Sequence, residues 1–399
     1  MNSISQLENL FPGIHNYAEK AIKWRNHIHQ HPELSFEEFQ TASFVEDVLF
    51  SQGFKSIKRM AGTGLVTTLH ENQQLDCVAL RADLDALPIQ ESATKINRSL
   101  KNGIMHACGH DAHTACLLGA AAYLLRIKDK INLNVKFIFQ PGEEKLPGGA
   151  SMMINEGVLN YPKVSAIYGL HVTPDLQTGQ FGLRAGAFMA STDELHIKIV
   201  GRPGHAAMYN TYINPVVVGS SLIHHCMNEV NLKIPGLGTE YVLAFGAFNA
   251  AGATNVIPSE ANIKGTLRTF NESVRTKIHE LLIEISKSLS AETGADILFD
   301  IQTGYPVLYN DPSLTEKTSR SLGTISKPTH NIITLERRMT AEDFAWYSQK
   351  IPSCFIRWGT GNHDKGIDAS VHTPDFDIDD QAIVYGIAAF LQCVMQHNQ

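Results

Sequence analysis

The feature that most limits the possible folds of this 399-residue chain is an alternation of short apolar runs with helical segments in its first half. The runs at 75–81, 133–140 and 164–172 have the length and composition of strands buried on both faces. Between the first two lies 111–126, DAHTACLLGAAAYLLR, which reads as an apolar helix with Asp111 as its N-cap. Strand, helix and strand in this order indicate an α/β fold with a mostly parallel sheet covered by helices.

A different pattern begins after Gly182. The segment 194–201, ELHIKIVG, alternates polar and apolar residues as a half-exposed strand does, and antiparallel partners and two helices follow it. Buried runs return near the end of the chain, for example PSCFIRWG at 352–359. We therefore predict a smaller α+β lid domain inserted into a larger catalytic domain. The predicted boundaries are 1–186 and 305–399 for the catalytic domain and 187–304 for the lid.

Composition and motifs exclude several classes of function. The formal net charge is -7 and there is no basic run, so we expect no nucleic-acid partner. No window approaches the roughly 20 apolar residues that a bilayer span needs, and the N-terminus lacks the features of a secretion signal. We expect a cytoplasmic protein with reduced cysteines, no membrane partner and a small-molecule substrate. The sequence also lacks a Gly-rich phosphate loop, a G-x-S-x-G elbow and paired C-x-x-C motifs.

Five possible metal ligands stand at the ends of the predicted strands or next to the predicted helix. Cys108 and His110 lie two positions apart in HACGHDAH, so an extended loop would point both side chains to one side. Glu144, His171 and His372 occur in QPGEE, GLHV and VHTPDFD. In open parallel sheets the ligand site lies beyond the carboxyl ends of the strands, where we expect these side chains to meet. Five donors exceed the need of one tetrahedral ion and suit two divalent cations.

The acidic residues around these ligands have distinct predicted roles. If Glu144 binds metal, the adjacent Glu143 remains available as the general base that takes a proton from water and returns it to a leaving amine. Asp83 and Asp85 alternate along RADLDALP and are candidates for orienting the ligand imidazoles.

Each of these residues also has a simpler interpretation. Cys108 alone could be a small buried apolar side chain, and His171 alone could be a hydrogen-bonded core histidine. Asp83 and Asp85 could cap a turn before Pro88, and the two glutamates could be a solvated loop pair. The metal hypothesis is favoured because every donor falls where a strand is predicted to end.

Ten segments, in order along the chain, resemble one known family. They are RNHIHQHPELSFEE (25–38), RADLDALPI, MHACGHDAHTA, QPGEE, GLHV, GRPGHAA (201–207), TNVIPSEA (254–261), GTLRTF, TAEDFAWY (340–347) and VHTPDFDIDD. They resemble the co-catalytic metallo-amidohydrolases of the aminoacylase and carboxypeptidase superfamily. The resemblance is greatest to the branch that contains hippurate hydrolases, N-acyl-L-amino acid amidohydrolases and auxin-conjugate hydrolases.

The resemblance implies a role for residues that the spacing alone leaves unassigned. It implies that His205 stabilises an oxyanion, in its own or a partner subunit's site, and that Asn255 and Arg268 contact the substrate. It implies the same metal ligands and the same base as above, with zinc or manganese as the metal and cobalt or nickel as alternatives. Relatives also suggest a homodimer formed through the lid. Gly142 stands where relatives commonly carry alanine, and we expect this to loosen the loop that holds Glu143.

The implied activity is metal-dependent hydrolysis of N-acyl-L-amino acids to a carboxylic acid and a free amino acid. Within enzymes the alternatives are an N-acetyl-diaminopimelate deacetylase or a dipeptidase. An alternative of another class is a metal-binding protein without catalytic activity, against which the presence of Glu143 argues.

Overall fold

The computed structural model describes residues 3–95, 97–328 and 331–398 of the chain. These residues form two compact units. The first unit consists of Met1–Gly186, Tyr309–Glu336 and Asp343–Gln399, and the second of Ala187–Leu308 and Arg337–Glu342.

The helices of the described chain are distributed over both units. They are α1 (Ser3–Leu10), α2 (Ile14–Gln30), α3 (Phe39–Gln52), α4 (His110–Arg126), α5 (Gly149–Asn155), α6 (Pro215–Lys233), α7 (Glu272–Thr293), α8 (Pro312–Gly323), α9 (Ala345–Ser348) and α10 (Ala382–Met395). None of these described helices has both the length and the apolar character that crossing a membrane requires.

The strands follow in the same chain order. They are β1 (Ile57–Met60), β2 (Gly64–Leu69), β3 (Cys77–Asp83), β4 (Asn134–Gln140), β5 (Val164–Gln177), β6 (Phe181–Leu183), β7 (Gly186–Met189), β8 (Asp193–Val200), β9 (Gly204–His205), β10 (Tyr241–Asn249), β11 (Val256–Ile257), β12 (Glu260–Thr269), β13 (Asp296–Thr303), β14 (Leu308–Asn310), β15 (Ile332–Thr334) and β16 (Ser353–Gly361).

The first unit is built on an eight-stranded sheet in the order β1-β2-β4-β3-β5-β16-β6-β15. The central pairs β4–β3, β3–β5 and β5–β16 are parallel, as is β6–β15, whereas β1–β2, β2–β4 and β16–β6 are antiparallel. Every residue of β3 and β4 is buried, which explains why their sequences are apolar runs rather than alternating patterns. The predicted α/β class with a mostly parallel sheet is confirmed.

Helix α4 lies between this sheet and other helices. It contacts β3, β4 and β5 on one side and α2 and α10 on the other, and its residues 110–124 are all buried. A helix enclosed in this way has no solvent-facing side, so its sequence is apolar all round. Gly119 allows the close approach of α10, because a Cβ there would lie 2.5 Å from an Ile387 side-chain carbon.

The second unit is a four-stranded antiparallel sheet in the order β10-β12-β8-β13, packed with α6 and α7. Strand β8 alternates buried and exposed residues because one face of the sheet meets the helices and the other does not. Asn214 and Asn271 cap the two helices by accepting hydrogen bonds from backbone N–H groups of the first turn.

Candidate metal centre

The candidate ligands lie around the carboxyl ends of the parallel strands of the first unit. Asp83 is the last residue of β3, and Glu143 follows the end of β4 by three positions. The sequence predicts that the third strand ends near His171, but β5 continues to Gln177 because β16 pairs beside it as far as that residue. The pairing of β5 with β3 nevertheless stops at Gly169, opposite Arg81, so His171 is unpaired on that side and lies level with Asp83 at the end of β3.

Gly109 turns the chain between the two nearest ligands. It adopts a left-handed conformation with φ of 79°, and α4 begins at the next residue, His110. A side chain at Gly109 would collide with Val172, whose Cγ2 atom would be 2.6 Å from its Cβ. The prediction that Asp111 is the N-cap is wrong, because Asp111 lies inside the first turn and its carboxylate accepts a hydrogen bond from Arg25 Nε at 2.8 Å.

Cys108 is the centre of the ligand cluster. Its Sγ atom lies 3.4 Å from His171 Nε2 and 3.3 Å from His372 Nε2. Glu144 Oε1 lies 3.2 Å from His372 Nε2 and 4.0 Å from His110 Nε2. The potential ligand atoms form two groups of three that share the sulfur, Cys108–His110–His171 and Cys108–Glu144–His372, with separations within 4.8 Å. The structure thus brings the five predicted donors together.

The donors also fit divalent cations by their chemistry. His110 Nε2 is buried and has no hydrogen-bond partner within the described residues. An unsatisfied buried polar atom costs roughly 1–3 kcal/mol, and coordination to a cation would remove that cost. Thiolate, imidazole and carboxylate are the ligands of protein-bound zinc, and imidazole and carboxylate also suit manganese.

Hydrogen bonds at the far nitrogens orient two of the imidazoles. His171 Nδ1 is 2.7 Å from the carbonyl oxygen of Val172, which can only accept, so Nδ1 carries the proton and Nε2 presents its lone pair toward Cys108. His110 Nδ1 is 3.1 Å from Asp85 Oδ1, which sets the same tautomer. Burial raises the pKa of Asp85, but the hydrogen bond and charge of His110, together with hydrogen bonds from Ser35 and the backbone of Glu144, outweigh it and the pKa is lower than usual.

Asp83 is predicted from the sequence to orient an imidazole of a metal ligand, but its hydrogen-bond partner is His113, which is not a predicted ligand. Its Oδ1 atom lies 2.6 Å from Nδ1 of His113, and Nε2 of the same ring accepts a hydrogen bond from Val172 N at 2.9 Å. His110 Nε2 is 3.8 Å from Asp83 Oδ2, beyond hydrogen-bond distance. Asp83 therefore orients His113, whose ring centroid is 4.9 Å from that of His171.

The loop that carries Glu143 is tightly packed. Gly142 has φ of 56° and donates its N–H to Glu38 Oε1 at 2.8 Å. A Cβ at Gly142 would lie 2.2 Å from the Phe36 ring, so the structure contradicts the expectation of a loosened loop. Glu143 itself is buried, with its Oε1 atom 3.4 Å from Asp343 N. One of its carboxylate oxygens lies within 4.8 Å of potential ligand atoms of both His110 and Glu144.

Without metal, the surroundings of Cys108 and His372 favour the protonated forms of these two side chains, which do not bind cations. Burial raises the pKa of the Cys108 thiol, and the carboxylate of Glu144 raises it further. Hydrogen bonds with Cys108 and Glu144 raise the pKa of His372 to about 10. Since cations bind the thiolate and the neutral imidazole, metal binding at this cluster must release protons.

The three residues assigned by resemblance alone lie in the second unit. His205 pairs with Val256 across β9 and β11, and Ala206 N donates to Asn255 O at 3.0 Å. Arg268 on β12 donates from Nη1 to the carbonyl oxygen of Met339 at 2.9 Å. Their contacts with substrate stay predictions.

Sequence reasoning missed a buried network that reaches Glu143. Arg81 donates to Asp83 and to Asp343, both at 2.7 Å, and Gln140 Nε2 donates to Asp343 Oδ2 at 2.8 Å. Asp343 in turn approaches Glu143 through its backbone N–H. The available signal was the presence of Arg81 and Gln140 at the ends of otherwise apolar strands.

Comparison with known proteins identifies relatives over most of the chain. A family model described as peptidase family M20/M25/M40 matches residues 79–396. An N-acetyl-L-cysteine deacetylase of Bacillus subtilis (strain 168) is 35% identical over 371 residues, which cover 92% of this chain and 85% of the relative. An N-acyl-L-amino acid amidohydrolase of Geobacillus stearothermophilus is 39% identical over 292 residues, covering 73% and 78%. A crystal structure from Bacillus subtilis, described as a dinuclear metal binding peptidase from the M20 family, superimposes with a TM-score of 0.79 at 31% identity, covering 95% of this chain and 98% of that one.

Proposed function

Because this chain belongs to the peptidase family M20/M25/M40, we propose that it hydrolyses the amide bond of N-acyl-L-amino acids and releases a carboxylic acid and a free amino acid. The observation that carries the proposal is the convergence of His171 and His372 on the Cys108 sulfur, with Glu143 beside the same cluster. The names of the two relatives, a deacetylase and an amidohydrolase of acylated amino acids, support this substrate class.

Five side chains would hold two divalent cations: Cys108, His110, Glu144, His171 and His372. When bound, such cations supply Lewis acidity that polarises a carbonyl group and lowers the pKa of water. Zinc and manganese are the proposed metals, since the donor set includes both soft and hard ligands, with cobalt and nickel as alternatives. Elemental analysis of the protein purified without added metal tests this identity.

Glu143 is the proposed general base. It accepts a proton from the attacking water as the new C–O bond forms, and it delivers that proton to the amine nitrogen as the C–N bond breaks. Its burial and the neighbouring N–H of Asp343 fix where the carboxylate stands. His205 is proposed to stabilise the oxyanion. Asn255 and Arg268 are proposed to bind the amino-acid end of the substrate, with the Arg268 guanidinium pairing with the substrate carboxylate.

A substrate panel tests the proposed activity against its rivals. The metal-loaded protein is assayed for release of free amino groups from N-acetyl- and N-benzoyl-L-amino acids, from dipeptides and from N-acetyl-diaminopimelate. The proposal predicts that kcat/KM for the best N-acyl-L-amino acid exceeds that for every dipeptide. A preference for dipeptides or for N-acetyl-diaminopimelate would support those alternatives instead, and no turnover of any compound would support a metal-binding protein without catalysis.

A homodimer formed through the second unit is the proposed assembly, and the cytoplasm the proposed location. Strands β10 and β13 are the edges of the sheet in that unit, and edge strands can pair with another chain. The side chains of Val217 and Leu232 on α6 are exposed apolar surface. Light scattering after size exclusion should give the mass of a dimer.

A further inference from the structure

Two separate parts of the chain that carry candidate ligands are joined through one buried arginine. Cys108 and His372 are 264 positions apart in sequence. Asp111 follows the first of these segments and Asp377 follows the second, and both carboxylates bind Arg25 of α2. Arg25 Nε donates to Asp111 Oδ2 at 2.8 Å, and Arg25 Nη2 donates to Asp377 Oδ1 at 2.9 Å. Only 5% of Arg25 is exposed to solvent.

A guanidinium group is suited to this connection. Its nitrogens point outward in a rigid plane, so a single arginine can fix the relative positions of two carboxylates. Each carboxylate has a further contact that holds it in place. Asp111 Oδ2 lies 2.8 Å from His29 Nδ1, and Asp377 Oδ1 accepts a hydrogen bond from Ile378 N at 2.8 Å.

The segment around His372 needs such support. His372 has a left-handed backbone with φ of 63°, a conformation that costs a non-glycine residue about 1–3 kcal/mol and persists only where the surroundings impose it. Its N–H donates to the carbonyl oxygen of Ala107 at 2.8 Å, which ties it directly to the residue before Cys108. The contact between Arg25 and Asp377 is a second tie between the same two segments.

We propose that Arg25 is a positioning residue for the metal centre, which holds Cys108 and His372 at ligand distance before a cation binds. Ligands that are already ordered lose less conformational entropy on binding, so the connection raises the affinity for metal. The inference rests on the proposed metal-dependent function. It concerns ligand placement and assigns Arg25 no contact with substrate.

The surrounding contacts allow Arg25 to be replaced without stripping Asp111 of its partners. His29 bonds Asp111 through Nδ1 and Glu91 through Nε2, the latter at 3.0 Å. In Arg25→Gln, Asp111 therefore keeps His29, whereas the connection to Asp377 is lost. Arg25→Lys keeps the charge but replaces the planar fork with one nitrogen, which cannot reproduce both bonds in the same geometry.

The test measures metal affinity directly. Metal-free wild type, Arg25→Gln, Arg25→Lys and Asp377→Ala are titrated with Mn²⁺ by calorimetry at one pH, and kcat is then measured at saturating Mn²⁺. We expect the Mn²⁺ affinity of Arg25→Gln to fall about tenfold, at the lower end of the loss that removing a direct partner of a metal ligand causes, because Arg25 acts on the ligands through Asp111 and Asp377. We expect smaller affinity losses for the other two variants, and a kcat near the wild-type value once Mn²⁺ is saturating, because the ligand set itself is unchanged. Arg59→Gln is the matched control, because it removes an ion pair with Glu46 on the surface of the same unit and should leave Mn²⁺ affinity unchanged.

The results separate this inference from the proposed function. An Arg25→Gln protein with lower thermal stability but wild-type Mn²⁺ affinity would show a structural role only and would overturn the inference. If Arg25→Gln does not fold, unchanged affinity in Asp377→Ala, which lacks the oxygen that accepts from Arg25, would overturn it equally. A wild type that binds Mn²⁺ and hydrolyses N-acyl amino acids while the variants bind equally well leaves the function standing. A wild type that does neither contradicts the function itself.

Discussion

Among single residues, Glu143 and Glu144 are adjacent in sequence, but their carboxylates have different surroundings. Glu144 Oε1 faces His372, and its backbone N–H donates to Asp85 Oδ2 at 3.0 Å. Glu143 is buried beside Asp343 N instead. The Glu144 carboxylate therefore lies within the ligand cluster, and the Glu143 carboxylate lies beside it, which is consistent with the proposed division into ligand and base.

Replacement of Glu143 by glutamine should remove the base while leaving the ligands. We expect kcat of Glu143→Gln to fall by about 10²–10⁴, the usual contribution of general acid–base catalysis. The metal content per chain should stay at the wild-type value, because no proposed ligand is lost. Steady-state kinetics and elemental analysis of the same preparation check this, with Glu71→Gln as an exposed control. Retention of more than a tenth of the wild-type kcat would place the base elsewhere.

Gly142 is a residue at which both backbone and space forbid a side chain. In Gly142→Ala the left-handed backbone and the collision with Phe36 should together destabilise the metal-free protein by about 1–3 kcal/mol. Gly62→Ala is a matched control, since Gly62 has φ of 82° but no atom within 4 Å of a Cβ there.

Urea unfolding at constant pH gives the free energies of unfolding of Gly142→Ala and Gly62→Ala. The double variant Phe36→Ala/Gly142→Ala should recover part of the loss relative to Phe36→Ala alone. Equal destabilisation by Gly142→Ala and Gly62→Ala would mean that the Phe36 ring moves aside freely.

At the scale of elements, local patterns predicted which segments are strands and helices better than where they end. The apolar runs became β3, β4 and β5 because buried parallel strands need apolar residues on both faces. The predicted end of β5 was wrong because pairing with β16, from a distant part of the chain, extends the strand to Gln177. The cap of α4 was wrong because Asp111 binds Arg25, 86 positions away, and Gly109 makes the turn.

In the second unit a buried carboxylate links β8 to α7, and this link should make stability depend on pH. Asp193 Oδ1 accepts from Arg275 Nη2 at 2.6 Å, and Asp193 Oδ2 lies 2.7 Å from His279 Nε2. Burial raises the pKa of Asp193, but these two partners outweigh it and hold the pKa below its ordinary value. A lowered folded-state pKa stabilises the protein above the unfolded pKa of about 3.9, and this contribution is lost as pH falls through the folded value.

Asp193→Asn should therefore cost stability at neutral pH and cost less in acid. We expect a loss of about 3 kcal/mol at pH 7, because a buried ion pair is broken on one side only. The difference from wild type should shrink as pH falls below about 4. Urea unfolding across this range measures it, with the exposed Asp296→Asn as control. A difference that stays constant down to pH 3 would contradict the assigned pKa direction.

At the scale of the whole molecule, the sequence predicted which strand ends would meet but not what surrounds them. The general rule for parallel sheets was enough to predict that Cys108, His171 and His372 converge. Arg25 and Asp377 are 352 positions apart, and Arg81 and Asp343 are 262 apart. Spacing within one segment reports on periodicity and cannot show which distant segments become neighbours, so these connections required the structure.

Anomalous X-ray diffraction from wild-type crystals grown with Zn²⁺ or Mn²⁺ would show whether the ligand cluster around Cys108 binds two divalent cations. We predict two anomalous peaks per chain next to the Cys108 sulfur, about 3.5–4 Å apart, one also near His171 and the other near His372. Crystals of Cys108→Ala should lose at least one of them. A wild-type map with no anomalous peak within coordination distance of Cys108 would show that this cluster is not a metal site.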